Sequence, residues 1–245
     1  NDNVQHRYEA WFDTDDLQGI QDYLLAAPER FWSGIERMVE YRPTISGYTT
    51  TYNCLKQAYP FRQCIQSMLQ FCDEVCVVDG GSTDGTWEGL VRLAHPDAFL
   101  STSPLSPVEQ VELIEDIRAL GTSPHQSTLA PSKIRLQELR RDWRAKHHPV
   151  FDGMQKAAAR ARCTQEYCWQ MDSDEVVHED DAARIPRLCR ALPRDVHVMA
   201  LPVIEYWGGP TKVRLDVPPW KWRLSRNLSH VTHGIPAELR RFDND

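Results

Sequence analysis

The sequence predicts an α/β fold in which a mostly parallel central sheet is flanked by helices. Three observations support this class. Residues 75–78 (Val-Cys-Val-Val) are apolar throughout, which is typical of a strand buried on both faces. The β-branched run at 44–50 precedes them, and an amphipathic pattern that begins at Pro60 lies between the two. Strand, helix and strand at this pitch predict parallel neighbours joined by helical crossovers.

Further elements follow from the apolar pattern along the rest of the chain. They are helices at 87–93, 108–120, 133–146 and 152–162, and strands near 98–100 and at 167–171, 196–204 and 220–224. We expect residues 1–43 to form a helical N-terminal extension and residues 44–245 to form a single α/β domain. The proline-containing tract at about 101–150 is longer than an ordinary connection, so we interpret it as an insertion that acts as a lid or acceptor region.

Composition excludes several classes. The 245 residues carry 28 basic and 35 acidic side chains, a net charge of −7, which argues against a general nucleic-acid binder. No run approaches the ~18 apolar residues of a membrane span. Seven cysteines without a Cys-x-x-Cys pair predict reduced core thiols in a cytoplasmic protein rather than a zinc site. Because the chain begins with Asn1 and ends abruptly, we expect a piece of a longer protein, whose missing domain could hold it at a membrane.

Three polar clusters follow predicted strands. They are Thr51-Tyr52-Asn53, the turn 79–85 (Asp-Gly-Gly-Ser-Thr-Asp-Gly) and Asp172-Ser173-Asp174-Glu175. Ligands of parallel α/β sheets bind at the carboxyl ends of strands, and converging carboxylates repel unless a proton or a divalent cation intervenes. Oxygen ligands on a short turn suit Mg²⁺ or Mn²⁺. The turn 79–85 lacks the Lys-Ser/Thr ending of a Walker loop and the spacing of an EF-hand. Solvated loops and helix caps explain the same clusters, and spacing alone leaves both interpretations open.

Taken together, the clusters resemble family 2 glycosyltransferases of the GT-A fold, which is Rossmann-like and uses nucleotide sugars. Residues 44–86 resemble the opening of that family, with a strand ending in Thr-Tyr-Asn and the run Asp-Glu-Val-x-Val-Val-Asp-Gly-Gly-Ser-Thr-Asp-Gly-Thr. Residues 151–175 resemble its helix, strand and Asp-x-Asp segment. Residues 222–226 (Trp-Arg-Leu-Ser-Arg) and the later His-containing stretch resemble its Arg-Leu-Phe-Arg and His-Glu region. The resemblance covers about 44–239 without the insertion.

The resemblance implies a role for each matching residue. The nucleoside, with uracil bound through a base N–H to the Asp79 carboxylate, would contact Thr51, Tyr52, Asn53 and Asp79. The Asp-x-Asp motif would place Asp172 and Ser173 toward the ribose and make Asp174 the direct metal ligand. His233, chosen over His230, would complete the metal shell. Lys156 stands where the family often has Arg and would keep a positive charge near the diphosphate without the bidentate fork.

The general base is the least defined role. Inversion needs a base opposite the leaving group, but Pro219 or Trp220 stands about where some relatives carry an acidic residue. Glu205 and Asp216 remain as candidates, and Glu205 is preferred. Tyr206, Trp207 and Trp220 form either an aromatic platform for a sugar or part of the core.

The leading hypothesis is a metal-dependent, inverting glycosyltransferase that moves a sugar from a UDP-sugar donor with Mn²⁺ or Mg²⁺. Its acceptor, whether a glycan, a lipid-linked sugar or a protein, is not defined by the sequence. Two alternatives stay open. A sugar-phosphate nucleotidyltransferase would carry a Gly-rich basic loop after its first strand, which residues 51–56 do not supply. A non-catalytic nucleotide-sugar-binding domain would lack the base.

Overall fold

A six-stranded sheet is the centre of the computed structural model, which describes residues 42–100, 105–119, 132–143, 148–209 and 211–233. The strands are β1 (Ile45–Thr51), β2 (Glu74–Asp79), β3 (Ile134–Glu138), β4 (Tyr167–Gln170), β5 (Val198–Pro202) and β6 (Trp220–Arg226). Their order across the sheet is β3-β2-β1-β4-β6-β5. Strands β1 to β4 are parallel, whereas β6 is antiparallel to both β4 and β5. The predicted α/β class with a mostly parallel sheet is therefore confirmed.

Helices cover both faces of this sheet. They are α1 (Phe61–Met68), α2 (Thr86–Ala94), α3 (Asp97–Leu100), α4 (Pro107–Ala119), α5 (His148–Ala161), α6 (Glu179–Ala182) and α7 (Ile185–Ala191). On one face, side chains of α1, α2 and α7 join the strands in the larger core cluster, which contains Ile45, Val77 and Trp169. On the other face, α5 packs on Tyr48 and Cys168 in a second cluster. All seven cysteines are buried and unpaired, as the sequence predicts.

Two predicted elements are wrong. Residues 98–100 belong to helix α3 rather than to a strand, because the Pro96 carbonyl accepts hydrogen bonds from the amides of Phe99 (3.0 Å) and Leu100 (2.8 Å). The helix predicted at 133–146 is replaced at 134–138 by strand β3, which pairs with β2 from Val75↔Ile134 to Asp79↔Glu138. Pairing with the open edge of β2 overrides the local helical pattern. The tract interpreted as an insertion therefore supplies an edge strand of the central sheet.

Some predictions lie outside the described residues. The helical N-terminal extension falls almost entirely there, since the described part begins at Arg42. Across the described ranges, none of the helices combines the length and the apolar character that a membrane crossing requires.

The buried carboxylate of Glu74, at the start of β2, connects this strand to β1, to β3 and to the turn before β4. The Glu74 carboxylate accepts hydrogen bonds from the Ser46 hydroxyl (2.6 Å) and from the amide (2.7 Å) and hydroxyl (2.9 Å) of Thr164. It also forms an ion pair with Arg135 of β3 at 2.8 Å. Burial alone would raise the pKa of Glu74, but these donors hold the pKa below its ordinary value.

We expect Glu74→Ala to lower the free energy of unfolding by about 2 kcal/mol, because it leaves buried donors without an acceptor. Since the folded-state pKa is depressed, the contribution of Glu74 is present above the unfolded-state pKa and is lost as pH falls through the folded-state value. Urea unfolding at neutral pH and in acid measures both effects. Glu115→Ala, which breaks an exposed pair with Arg118, is the control and should change stability by less than about 0.5 kcal/mol. Equal stability of Glu74→Ala and the wild type at neutral pH would contradict the assignment.

Candidate active site

The carboxyl ends of β1 and β2 are joined by a hydrogen-bond network around Asp79, whose exposed fraction is 0%. One carboxylate oxygen accepts from the hydroxyls of Thr51 (2.8 Å) and Ser82 (2.7 Å). The other accepts from the backbone amides of Gly81 (2.9 Å) and Ser82 (2.7 Å). Burial raises the pKa of Asp79, and the four donors oppose that shift. A carboxylate has about four acceptor positions, and these four donors fill those of Asp79. The Asp79 side chain therefore holds this turn in place.

Asn53 and Tyr52 build the neighbouring surface. Asn53 adopts a left-handed conformation (φ 48°). Its backbone amide donates to Ser82 Oγ (2.8 Å), and its side-chain carbonyl accepts from the Thr83 backbone amide (2.9 Å). The Tyr52 ring lies against Trp143, with 4.9 Å between centroids and 31° between planes. Trp143 Nε1 donates to the Gly80 carbonyl at 2.9 Å. A Cβ at Gly80 would lie 2.6 Å from the indole, so only glycine permits this approach.

Trp143 is a functional candidate that the sequence interpretation missed. It was included in the helix predicted at 133–146, whereas the structure brings it over the turn that follows β2. No local pattern indicates that contact. Tyr52 and Trp143 together form an aromatic wall at the strand ends where the nucleoside is predicted to bind.

Two basic side chains surround Asp172, which follows β4. Lys156 of α5 contacts Asp172 at 2.6 Å and Asp152 at 3.1 Å, and the Arg223 guanidinium lies 3.7 Å from Asp172. Burial alone would raise the pKa of Asp172, but Lys156 and Arg223 hold it below its ordinary value. The structure thus brings together the predicted Lys156 and Asp172, and it keeps Asp172 ionised.

Asp174 stands apart from these cations. Its carboxylate is exposed and forms no ion pair within the described part of the chain. Partial desolvation by the surrounding protein and the charge of the nearby Asp172 raise the pKa of Asp174. Ser173, between the two carboxylates, is buried against Cys54 (Sγ–Oγ 3.6 Å). The Cys64 thiol donates to the Asp172 carbonyl at 3.3 Å. The buried thiols of Cys54 and Cys64 therefore position the Asp-x-Asp turn, while the Asp174 carboxylate remains available to a ligand.

Arg223 is a second residue that the sequence interpretation did not assign. It is buried, and it donates to Gln170 and Glu175 as well as approaching Asp172. The pairing of β5 and β6 shifts register at this point, because Met199 pairs with Leu224 while Ala200 pairs with Trp222. Arg223 is the unpaired extra residue of this irregularity, and such bulges re-aim side chains. The resemblance includes residues 222–226, but only the folded structure shows that Arg223 reaches the Asp-x-Asp turn.

The structure places the two candidate histidines in different surroundings. His233 Nδ1 lies 2.9 Å from Tyr48 Oη, and burial followed by the charge of Lys156 lowers the pKa of His233 to about 4. When Nδ1–H donates to Tyr48, Nε2 keeps the lone pair that a metal ligand needs. His230 instead lies 3.1 Å from His197. Within the described ranges, no three His, Cys, Asp or Glu side chains are grouped so that they could hold a metal ion together.

A cavity of about 800 Å³ adjoins the Asp-x-Asp turn. It is bounded by the segment after β4, helix α6, the end of β5 and the start of β6. Its charged lining includes Asp174, Glu175, Glu205, Lys221 and Arg223. Asp174 faces the cavity, while Ser173 contacts Cys54, the residue that follows the Thr51–Asn53 cluster in the chain.

The candidate bases differ in their relation to this cavity. Glu205 lines it and pairs with Lys221 at 2.8 Å. Asp216 lies outside the cavity lining, is exposed, and receives two hydrogen bonds from Arg214 (2.9 and 2.7 Å). Among the candidate platform aromatics, Tyr206 and Trp207 line the cavity, and Trp220 does not.

No protein-family model matches this sequence, and no curated protein sequence matches it either. Among solved structures, similarity extends to residues 1–349 of TarS from S. aureus, with 13% identity over 75% of this chain and 47% of that one and a TM-score of 0.37. The mannosyltransferase PcManGT from Pyrobaculum calidifontis, solved with GDP-Man and Mn²⁺, is 19% identical over 75% of this chain and 46% of that one, with a TM-score of 0.36. The chain spans less than half the length of either protein.

We expect Asp79→Ala to lower the free energy of unfolding by about 3 kcal/mol, because several buried donors lose their acceptor together. Asp79→Asn should cost less, since the hydroxyls of Thr51 and Ser82 can turn to accept from the new amide group. Urea unfolding followed by circular dichroism measures both. Asp195→Ala, at an exposed position, should change stability by less than about 0.5 kcal/mol. An Asp79→Ala protein as stable as this control would show that the network is not needed for folding.

Proposed function

We propose that this chain is a nucleotide-sugar-dependent glycosyltransferase of the GT-A type, with a UDP-sugar as donor. The observation that carries the proposal is the meeting of three strand ends at one edge of the sheet. There, Asp79 joins the ends of β1 and β2. At the end of β4, Lys156 and Arg223 lie beside the ionised Asp172, and Asp174 is left free beside a cavity. The sequence resemblance to family 2 glycosyltransferases supports the same assignment.

The nucleoside would occupy the surface formed by Thr51, Tyr52 and Asn53. The Tyr52–Trp143 wall offers an aromatic face to a base. Because Asp79 already accepts four hydrogen bonds, a base N–H would reach this carboxylate only by replacing one of its present donors. Asp79 therefore acts in the proposal first by shaping the site.

The donor set fits a divalent cation shared with a diphosphate. Mg²⁺ and Mn²⁺ are commonly bound through one or two carboxylates together with substrate phosphates, so a complete cage of protein ligands is not required. Asp174 has the free carboxylate for this role, and the neutral His233 could serve as a second ligand. The cation would offset the negative charge that develops on the departing nucleoside diphosphate.

The chain's own residues would divide the remaining work. Lys156 keeps Asp172 ionised and places a positive charge near the diphosphate, as a point charge rather than a fork. Glu205 lies on the same cavity as Asp174 and would remove the proton from the acceptor hydroxyl, which corresponds to inversion. Lys221 pairs with Glu205 at 2.8 Å and would orient its carboxylate on the cavity wall.

We expect UDP with Mn²⁺ to stabilise the wild-type protein against heat, and Asp174→Ala to abolish most of that stabilisation. A ligand at about 100 times its dissociation constant adds about 2.7 kcal/mol to stability, which thermal unfolding detects readily. Asp180→Ala is a matched control, since that carboxylate lies six residues on, is exposed and does not line the cavity. It should respond like the wild type. The site assignment fails if the wild type shows no shift, or if Asp174→Ala responds as the wild type does.

We expect Glu205→Gln to slow UDP release from a panel of UDP-sugars by about a hundredfold or more, with UDP binding retained, because the amide cannot take a proton. Glu112→Gln on the exposed surface of α4 is the control and should keep full activity. Loss of turnover in Asp216→Asn but not in Glu205→Gln would assign the base to Asp216 instead. Retained donor binding without turnover in the wild type would favour a non-catalytic nucleotide-sugar-binding domain.

A further inference from the structure

Two neighbouring aromatic side chains are exposed on the cavity beside the Asp-x-Asp turn. Tyr206 is 53% exposed and Trp207 is 68% exposed, and both line the cavity. Single exposed aromatics are common on protein surfaces. An adjacent pair on the wall of a cavity is unusual, because it leaves a large apolar area in water at a place where a ligand can cover it.

The backbone holds this pair in a defined position. Segments 203–209 and 211–219 run antiparallel, with hydrogen bonds from the Val203 amide to the Pro219 carbonyl (2.7 Å) and from the Arg214 amide to the Glu205 carbonyl (2.8 Å). The Trp207 amide donates to the Lys212 carbonyl at 3.0 Å. The aromatic pair therefore rests on a two-stranded extension of the β5–β6 connection.

Side chains also support the Trp207 ring. The Arg214 guanidinium lies 5.3 Å from the ring centroid, and the Asp216 carboxylate holds Arg214 through two hydrogen bonds. A guanidinium at this distance is attracted to the face of an indole. One side of the ring is thus supported, while its exposed area remains available for stacking.

The rest of the cavity wall combines apolar side chains, such as those of Met171, Val177 and Leu201, with charged hydrogen-bonding groups. Asp174, Glu205, Lys221 and Arg223 supply both acceptors and donors. A sugar ring carries apolar C–H groups on its faces and hydroxyls around its edge, so it suits an aromatic surface beside such groups. An acyl chain would cover the exposed Asp174 carboxylate without replacing its hydrogen bonds to water, which is unfavourable.

We propose that Trp207, together with Tyr206, is a stacking subsite for a sugar ring, and that the acceptor of this enzyme is a carbohydrate. The second part rests on the proposed function, since it takes the bound sugar to be the acceptor. Binding of a sugar at Trp207 does not depend on catalysis. The two statements can therefore fail separately.

The experiment uses methyl glycosides of glucose, galactose, mannose and N-acetylglucosamine as probes, with saturation-transfer NMR and tryptophan fluorescence as readouts. The wild type should bind at least one of them, and Trp207→Ala should weaken that binding about fivefold to tenfold. Trp207→Phe should restore much of it, because a phenyl ring also stacks.

Trp222→Ala is the matched control, because Trp222 is 67% exposed but does not line the cavity, and it should bind like the wild type. Each variant is also tested for stabilisation by UDP with Mn²⁺, which Trp207→Ala should leave unchanged.

Each outcome bears on a different statement. Absence of binding by every glycoside, equal binding by Trp207→Ala and the wild type, or equal loss in Trp222→Ala would overturn the subsite. UDP stabilisation without glycoside binding leaves the proposed function standing and removes this inference. Glycoside binding that depends on Trp207, without any response to UDP and Mn²⁺, supports the subsite and contradicts the glycosyltransferase assignment.

Discussion

The need to satisfy a fully buried carboxylate at the end of β2 governs the geometry of this site. Asp79 is fully buried, and an unpaired buried charge is very costly, so the chain must deliver donors to it. It does so from Thr51 at the end of β1 and from the turn at Gly81 and Ser82. Meeting that requirement joins the ends of β1 and β2 and holds the turn at Gly81 and Ser82. It also leaves the Gly80 carbonyl facing Trp143.

Strand β2 carries a second buried carboxylate, Glu74, at its other end. Glu74 and Asp79 stabilise different parts of the molecule. Glu74 receives donors from β1, from the turn before β4 and from Arg135 of β3, so it holds the order of the sheet. Asp79 receives donors from the last residue of β1 and from the turn after β2, so it shapes the surface where ligands bind in parallel sheets. Strand β2 therefore stabilises both the order of the sheet and the edge of the sheet where the candidate site lies.

Charge at the Asp-x-Asp turn is distributed unevenly. Three carboxylates occur within four residues, at Asp172, Asp174 and Glu175. The two nearby cations form ion pairs with some of them and not with others. Lys156 and Arg223 contact Asp172, and Arg223 also contacts Glu175. This pairing lowers the electrostatic cost of the cluster and concentrates the uncompensated charge on Asp174. A cation shared with a phosphate group would meet that charge, while the paired carboxylates would stay in place.

The sequence alone determined the parts of this protein that depend on local pattern. The apolar run of β2 needs burial on both faces and Pro60 precedes α1, so the fold class could be predicted. The polar clusters at Thr51–Asn53, Asp79 and Asp172–Asp174 lie at strand ends, as the sequence predicts, and they form the candidate site. Tertiary structure decided what depends on distant partners. Strand β3 exists because β2 offers an open edge, and that pairing overrode a helical pattern. Trp143 reaches Gly80, and Arg223 reaches Glu175 through a bulge, across separations of 63 and 48 residues. Contacts over such separations depend on how the elements pack, which no local pattern records.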